Sequence, residues 1–244
     1  MQSSSSQIAL VTGANKGIGL EIVGTLARRG MRVLLGARNA KLGGAAAAQL
    51  KEEGLDVQFI ELDLGRPETL RDAAAWIEKH AGKLDVLVNN AGITSTGDGS
   101  PAKADIDAVR RVFETNFFGT LAVTQAMLPL VRKSEAGRIV NVSSGLGSIT
   151  LNGDPAWEFA SVKFLGYNAS KAALNMFTIM LAKELKDDGV LVNSADPGYT
   201  ATDLNNHRGP QTVEEGARET VRLATLPSDG PTGGYFDMNG ARPW

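Results

Sequence analysis

The sequence contains no cysteine, which removes disulfides, thiolate metal sites and cysteine nucleophiles together and fits a reducing compartment. Only two histidines are present, His80 and His207. A histidine triad or multi-histidine metal site would need both, and neither sits in a recognisable motif. His80 reads as a helix-end residue and His207 as a loop residue, so no metal is expected. No apolar run is long enough to span a bilayer, and no membrane association is expected. A formal net charge of −2 leaves no basic surplus for a phosphate backbone, which argues against nucleic acid. Met1 to Gln7 is serine-rich and lacks the charged and apolar regions of a secretion signal. Residues 1–6 are expected to be a disordered stub, and the protein to be soluble and cytoplasmic.

What is present is a chain of 244 residues, 43% hydrophobic, long enough to bury a large core. Apolar runs alternate with helical patterns. Strands are expected at 8–12, 32–36, 57–62, 84–88, 138–142 and 191–194, with a last one at 235–238. Helices are expected at 17–29, 40–53, 67–80, 106–131, 167–186 and 213–224. Strands apolar on both faces and separated by helices imply a parallel sheet covered on both sides. The expected fold is therefore α/β, a Rossmann-type doubly wound parallel sheet of about seven strands. No linker separates a second domain, so residues 7–244 are read as one unit.

The stretch Thr12-Gly13-Ala14-Asn15-Lys16-Gly17-Ile18-Gly19 lies between the first strand and the first helix. Gly13 suits a tight turn, Gly17 lets the backbone approach a pyrophosphate, and Gly19 lets the helix pack closely. The helix N-terminus then offers free N–H groups to an anion. The tip of the second strand reads Gly36-Ala37-Arg38, with no carboxylate to accept a ribose 2′-hydroxyl. Arg38, with Lys16 in the turn, suits a 2′-phosphate, because charge-assisted contacts to phosphate are strong. The expected cofactor is NADP(H).

Tyr167-Asn168-Ala169-Ser170-Lys171 opens a helix. Positions i and i+4 share a helical face, so Tyr167 and Lys171 point the same way. A free tyrosine titrates near ~10. A nearby ammonium and the positive ring of an oxidised nicotinamide would favour the phenolate. Tyr167 could then act as acid in reduction or base in oxidation. Asn141-Val142-Ser143-Ser144 ends the fifth strand, at the edge where open α/β sheets bind ligands, and a hydroxyl there could meet a substrate carbonyl. Asn116 lies within the long helix, where asparagine is a mediocre helix former.

Taken together, Thr12 to Gly19, Asp63-Leu64, Asn89-Asn90-Ala91-Gly92, Asn116, Ser144, Tyr167 with Lys171, and Pro197-Gly198 occur in the order found in the short-chain dehydrogenase/reductase family, which the sequence resembles over nearly its whole length. The run from Gly13 to Leu20, Thr115-Asn116-Phe117-Phe118-Gly119 and the Trp244 ending are similar to the NADPH-dependent carbonyl reductases. The resemblance implies that Tyr167 is the acid/base. Lys171 would lower its pKa and hold the nicotinamide ribose, Ser144 would orient the carbonyl, and Asn116 would position a water linking Lys171 to solvent. It also implies that Asp63 and Leu64 flank the adenine and that Asn90, with Ala91 and Gly92, lines the cofactor cleft. Pro197, Gly198, Tyr199, Thr200 and Thr202 would meet the nicotinamide end.

Tyr167 follows Ser144 at a wider spacing than the plain family pattern. The extra segment, roughly 151–165, carries Trp157, Phe159 and Phe164. It is expected to wall the substrate pocket and to cover the helix face that other members use to dimerise, which favours a monomer, with a dimer as the alternative. Residues 205–211 suit a lid. The pocket, expected from Leu146, Ile149, the extra segment, Tyr199 and the lid, should be apolar with few polar groups. The expected activity is NADPH-dependent reduction of small-molecule carbonyls. The alternatives are an NADP-dependent alcohol dehydrogenase running in oxidation and a non-catalytic NADP(H) sensor. A sugar-nucleotide epimerase relative would need an extra substrate domain, for which the chain is too short.

Overall fold

The computed structural model describes residues 7–244, so the expected stub at 1–6 lies outside the described residues. In order, the chain forms β1 (Ile8–Val11), α1 (Gly17–Arg28), β2 (Arg32–Ala37), α2 (Ala40–Glu52), β3 (Val57–Glu61), α3 (Pro67–Ala81), β4 (Val86–Asn89) and α4 (Ile106–Phe113). It continues through α5 (Thr120–Val131), β5 (Arg138–Val142), α6 (Ile149–Gly153), α7 (Leu165–Glu184), β6 (Leu191–Ala195), α8 (Val213–Ala224), β7 (Tyr235–Asp237) and β8 (Gly240–Ala241).

The sheet order is β3-β2-β1-β4-β5-β6-β7-β8. Every pairing is parallel except the last, where β8 turns back antiparallel on β7. That two-residue strand is the eighth, beyond the about seven expected, and it is too short to carry a periodic signal. Alternation sorts the strand residues between two cores. Ala9, Val11, Val33, Leu35, Val88 and Val140 pack with α1, α2 and α8. Ile8, Leu10, Leu34, Leu87, Ile139 and Val192 pack with α3, α5 and α7. Both faces are covered, as the unbroken apolar runs of the strands require.

The expected helix over 106–131 is present along its whole length but is not α-helical throughout. Between α4 and α5 the backbone widens into a π-helical turn at Glu114–Gly119. Gly119 there presses on Leu64, and Asn116 is drawn off toward Ile93. Pro129 sits inside α5 without ending it.

A buried polar ladder fixes the register of the central strands at their carboxyl ends. Asn89, Asn141 and Ser194 are lateral neighbours on β4, β5 and β6. Asn89 Nδ2 donates to Asn141 Oδ1 at 2.8 Å and to Thr124 Oγ1 at 3.0 Å. Asn141 Nδ2 donates to Thr178 Oγ1 at 2.8 Å, and Thr178 Oγ1 lies 2.8 Å from Ser194 Oγ. Any slip of one strand would strand these groups without partners, each at about 1–3 kcal/mol. Asn141→Ala is therefore expected to lower unfolding free energy by about 2–4 kcal/mol, read from urea denaturation, because it orphans a donor and an acceptor at once.

Candidate active site

The carboxyl edge of the sheet gathers the candidate residues. After β1 the chain turns sharply at Gly13 (φ 62) and Gly17 (φ 58). A Cβ on Gly13 would lie 2.8 Å from Ala91 Cα, so the turn and the strand-end loop after β4 touch as only glycine permits. Thr12 Oγ1 accepts from the N–H groups of Asn90 and Ala91, each at 3.0 Å. Asn90 Nδ2 donates to the carbonyls of Thr12 at 2.9 Å and Gly13 at 3.2 Å. Asn90 thus braces the turn. Gly19, one turn into α1, packs against the Asn90 side chain. The helix starts with no side-chain cap at Lys16 and no acid in its first turn, and Asn15 and Ile18 flank its opening. Its first N–H groups are left for an anion, so a dinucleotide pyrophosphate fits this turn.

The two expected phosphate cations differ. Arg38, just past β2, is exposed and makes no ion pair among the described residues. Lys16 is exposed but pairs with the Asp203 carboxylate. The Lys16 hydrogen bond, with His207 at 2.7 Å, holds the Asp203 carboxyl below the usual carboxylate range. His80 instead stacks on Trp76. Asp63 and Leu64 follow β3, where Asp63 Oδ1 accepts from Gly65 N at 3.0 Å and Leu64 packs on Gly119.

Ser144, Tyr167 and Lys171 meet across a close contact between the turn after β5 and helix α7. A Cβ on Gly147 would lie 2.6 Å from Lys171 Cβ, so no larger residue lets the two approach this far. Ser143 is spent inward, donating to Asn175 Oδ1 at 2.6 Å, while Ser144 lines a cavity with Tyr167. Lys171 is buried, donates from Nζ to the Val142 carbonyl at 2.8 Å, and lies 5.8 Å from the Tyr167 ring centre. Burial lowers the Lys171 ammonium to about 8. Burial also pushes the Tyr167 phenol up to about 12; a hydrogen bond with Ser144 opposes this, and the charge of Asp196 adds to it. Desolvation therefore sets the direction for the phenol, and the opposing influence comes from Ser144 rather than from Lys171. Asn116 Oδ1 accepts from Ile93 N at 2.8 Å, and its Nδ2 donates to Ile93 O at 3.0 Å and Ser170 Oγ at 3.1 Å. It reaches Lys171 only across Gly92, whose added Cβ would lie 3.4 Å from Lys171 Nζ and 3.5 Å from Asn116 Oδ1.

The cavity measures about 890 Å³ and is walled by Leu146, by Trp157, Phe159, Val162 and Phe164 of the extra segment, and by Pro197, Gly198, Tyr199, Thr200 and Thr202. Gln211 and Pro210 of the expected lid line it as well. Two expectations need correction. Ile149 does not wall the cavity and is 77% exposed, because it opens the short α6, none of whose residues is buried. The wall is apolar over most of its area, as expected, but its polar groups are not few, since Asp196, Asp237 and Arg242 reach it from strand ends that no local pattern connects. The extra segment covers only the start of α7, where Asn168 Nδ2 donates to Asn152 Oδ1 at 3.2 Å. Met176 and Met180, further along, stay exposed.

One positioning residue is absent from the sequence reading. Asp98, in the loop after β4, accepts from the N–H groups of Gly166 at 2.8 Å and Tyr167 at 2.9 Å, capping α7 at the turn that carries Tyr167. Its only sequence signal is a small turn, Gly97-Asp98-Gly99, far from the helix it caps. Asp98→Ala is expected to cost about 1–2 kcal/mol in urea unfolding, with Asp98→Asn recovering part of it.

The short chain dehydrogenase model matches residues 7–212, and the chain belongs to that family of oxidoreductases. It is 38% identical to carbonyl reductase (NADPH) 3 of Rattus norvegicus, over 93% of this chain and 94% of that protein. Among solved structures, NADPH-bound carbonyl reductase from chicken fatty liver superposes with a TM-score of 0.85 at 26% identity, covering 98% of this chain and 99% of that one. Salutaridine reductase from Papaver somniferum gives 0.83 at 30% identity, covering 95% and 99%.

Proposed function

We propose that this protein is a single-domain NADPH-dependent carbonyl reductase acting on small-molecule ketones or aldehydes. The observation that carries the reading is the meeting of Ser144 and Tyr167 at the wall of one cavity, with the Lys171 ammonium buried behind them. The similarity to carbonyl reductases supports the direction of reaction.

In this reading the turn from Gly13 to Gly19 holds the pyrophosphate, Arg38 meets the 2′-phosphate, Asp63 and Leu64 flank the adenine, and Pro197 to Thr202 contact the nicotinamide end. NADPH, when bound, supplies the hydride. The Ser144 hydroxyl donates to the substrate carbonyl oxygen and fixes its orientation. Tyr167 delivers its phenolic proton to that oxygen as negative charge builds there. Its high pKa keeps the phenol protonated across the working pH range, which suits an acid. The Lys171 charge stabilises the phenolate that remains, and Asn116 holds the Ile93 backbone beside it.

Loss of NADPH absorbance with simple ketones tests this directly. Tyr167→Phe is expected to lower kcat/KM by about 10² to 10⁴; full activity in that variant would sink the mechanism. The pH profile carries a sign. Lys171 keeps its proton below about 8, so kcat/KM for reduction should hold below that pH and fall above it. In Lys171→Met that limb should vanish together with most of the rate.

Cofactor choice is tested separately by Arg38→Ala. It should raise KM for NADPH about tenfold or more and leave KM for NADH unchanged, since only the 2′-phosphate contact is lost. Equal effects on both nucleotides would remove Arg38 from that role.

A further inference from the structure

The wall beside Ser144 is charged. A Cβ on Gly145 would lie 3.1 Å from Asp196 Oδ2, 3.3 Å from Trp157 Cζ2 and 3.6 Å from Arg242 Nη2, so all three converge next to the reacting hydroxyl. Asp196 is 6% exposed, and the Asp237 side chain 12%. Asp196 accepts from Gly198 N at 3.0 Å and Asp237 from Asn239 N at 2.7 Å, but for a counter-charge they share one guanidinium, Arg242, at 3.9 Å from Asp196 and 3.3 Å from Asp237. Arg242 Nε makes no hydrogen bond, so its approach to Asp196 is loose. When ionised, the three groups leave one negative charge uncompensated.

The rest of the cavity wall does not restore balance. Glu219 is cancelled by Arg222 at 2.6 Å. Glu158 and Arg208 offset each other in sign, and Glu215 adds a further carboxylate. Along the same wall runs an aromatic row. Trp157 and Phe159 meet edge to face at 5.5 Å, and Phe159 and Tyr199 at 5.8 Å. Aromatic faces beside carboxylates attract organic cations through the ring quadrupole and direct charge together.

We infer that the substrate of this site is a carbonyl compound bearing a protonated amine, whose ammonium lodges between the Trp157–Phe159–Tyr199 row and the Asp196 and Asp237 carboxylates. The inference rests on the carbonyl-reductase reading and narrows it to a substrate class. Burial pushes the Asp196 carboxyl up while the Gly198 and Gly145 N–H groups, Arg242 and Tyr235 pull it down without offsetting the burial, so a second cation would relieve a group that its present partners only partly compensate. A carboxylate-bearing substrate would meet like charge here, and Arg242, the guanidinium beside these carboxylates, is already shared between them.

Three acetophenones of the same shape, with para-aminomethyl, para-methyl or para-carboxylate groups, provide the test at saturating NADPH. The expected order of kcat/KM is aminomethyl, methyl, carboxylate, with the first exceeding the last by roughly tenfold or more. Asp237→Asn should shrink that ratio severalfold. Trp157→Leu, in the extra segment, is an independent variant that should shrink it too. An equal or reversed order, or a ratio that neither variant changes, overturns the inference. Calorimetric titration with para-methylbenzylammonium and para-methylbenzoate reads the preference without turnover. If no ketone is reduced, the reductase reading fails on its own, while tighter binding of the ammonium upholds the charge preference and equal or tighter binding of the benzoate overturns it.

Discussion

The arrangement of the site depends on the polar ladder through Asn89, Asn141, Thr178 and Ser194. Hydrophobic packing alone tolerates strand slippage as long as apolar residues stay on their faces. Buried amides and hydroxyls do not, because each needs a partner at a fixed distance. With β4, β5 and β6 locked at these positions, the residues just beyond them fall along one line at the sheet edge. Asn90 to Gly92, Ser143 with Ser144, and Asp196 with Pro197 are those residues. Helix α7 is tied to the same line, since Thr178 belongs to it, and Gly147 then allows the close approach that brings Tyr167 to Ser144.

That approach has an electrostatic consequence. Tyr167 and Lys171 are both buried, and burial disfavours the charged form of each, so it moves their pKa values apart, the phenol up to about 12 and the ammonium down to about 8. The resting pair is a neutral phenol beside an ammonium that still holds its proton at neutral pH. In the proposed reaction, a proton donor of this kind suits reduction. Asp196 acts in the same sense, because its charge makes the phenolate less favourable.

The sheet was legible in the sequence because both faces of its strands are buried, which leaves continuous apolar runs such as Ile8 to Val11 and Val86 to Val88 between helical stretches. The glycine turn and the pairing of Tyr167 with Lys171 were legible because their spacing is local. The π-helical turn around Asn116 was not, since its cause is contacts with Ile93 and Leu64, which are remote in sequence. The Asp98 cap was hidden for the same reason, 68 positions from Gly166. Lys16 had the right charge for a phosphate, but its pairing with Asp203, far along the chain, could not be read from the turn itself. The charged groups of the cavity wall were not legible because composition around Leu146 and the extra segment is apolar, while these groups arrive from the ends of β6, β7 and β8.

These sources differ in what they are free to vary. The groups proposed to meet the reacting atoms stand on the registered strand ends and on α7, where a change in backbone position would break buried hydrogen bonds. The wall that meets the remainder of a substrate comes from the extra segment, the stretch after Gly198 and the last residues of the chain, all loops or short elements. These pieces also brace one another. Ser148 Oγ donates to the Pro243 carbonyl at 2.8 Å, Thr150 N to the Trp244 carbonyl at 2.8 Å, and Tyr235 stacks on Trp244 at 5.4 Å. Arg242 is therefore held in place by a C-terminal strand pairing and two anchored neighbours, so the charge it presents to the cavity is a fixed feature of the wall. Rigid placement is what lets a single uncompensated carboxylate discriminate between substrates, since a mobile counter-charge would swing to cancel either sign.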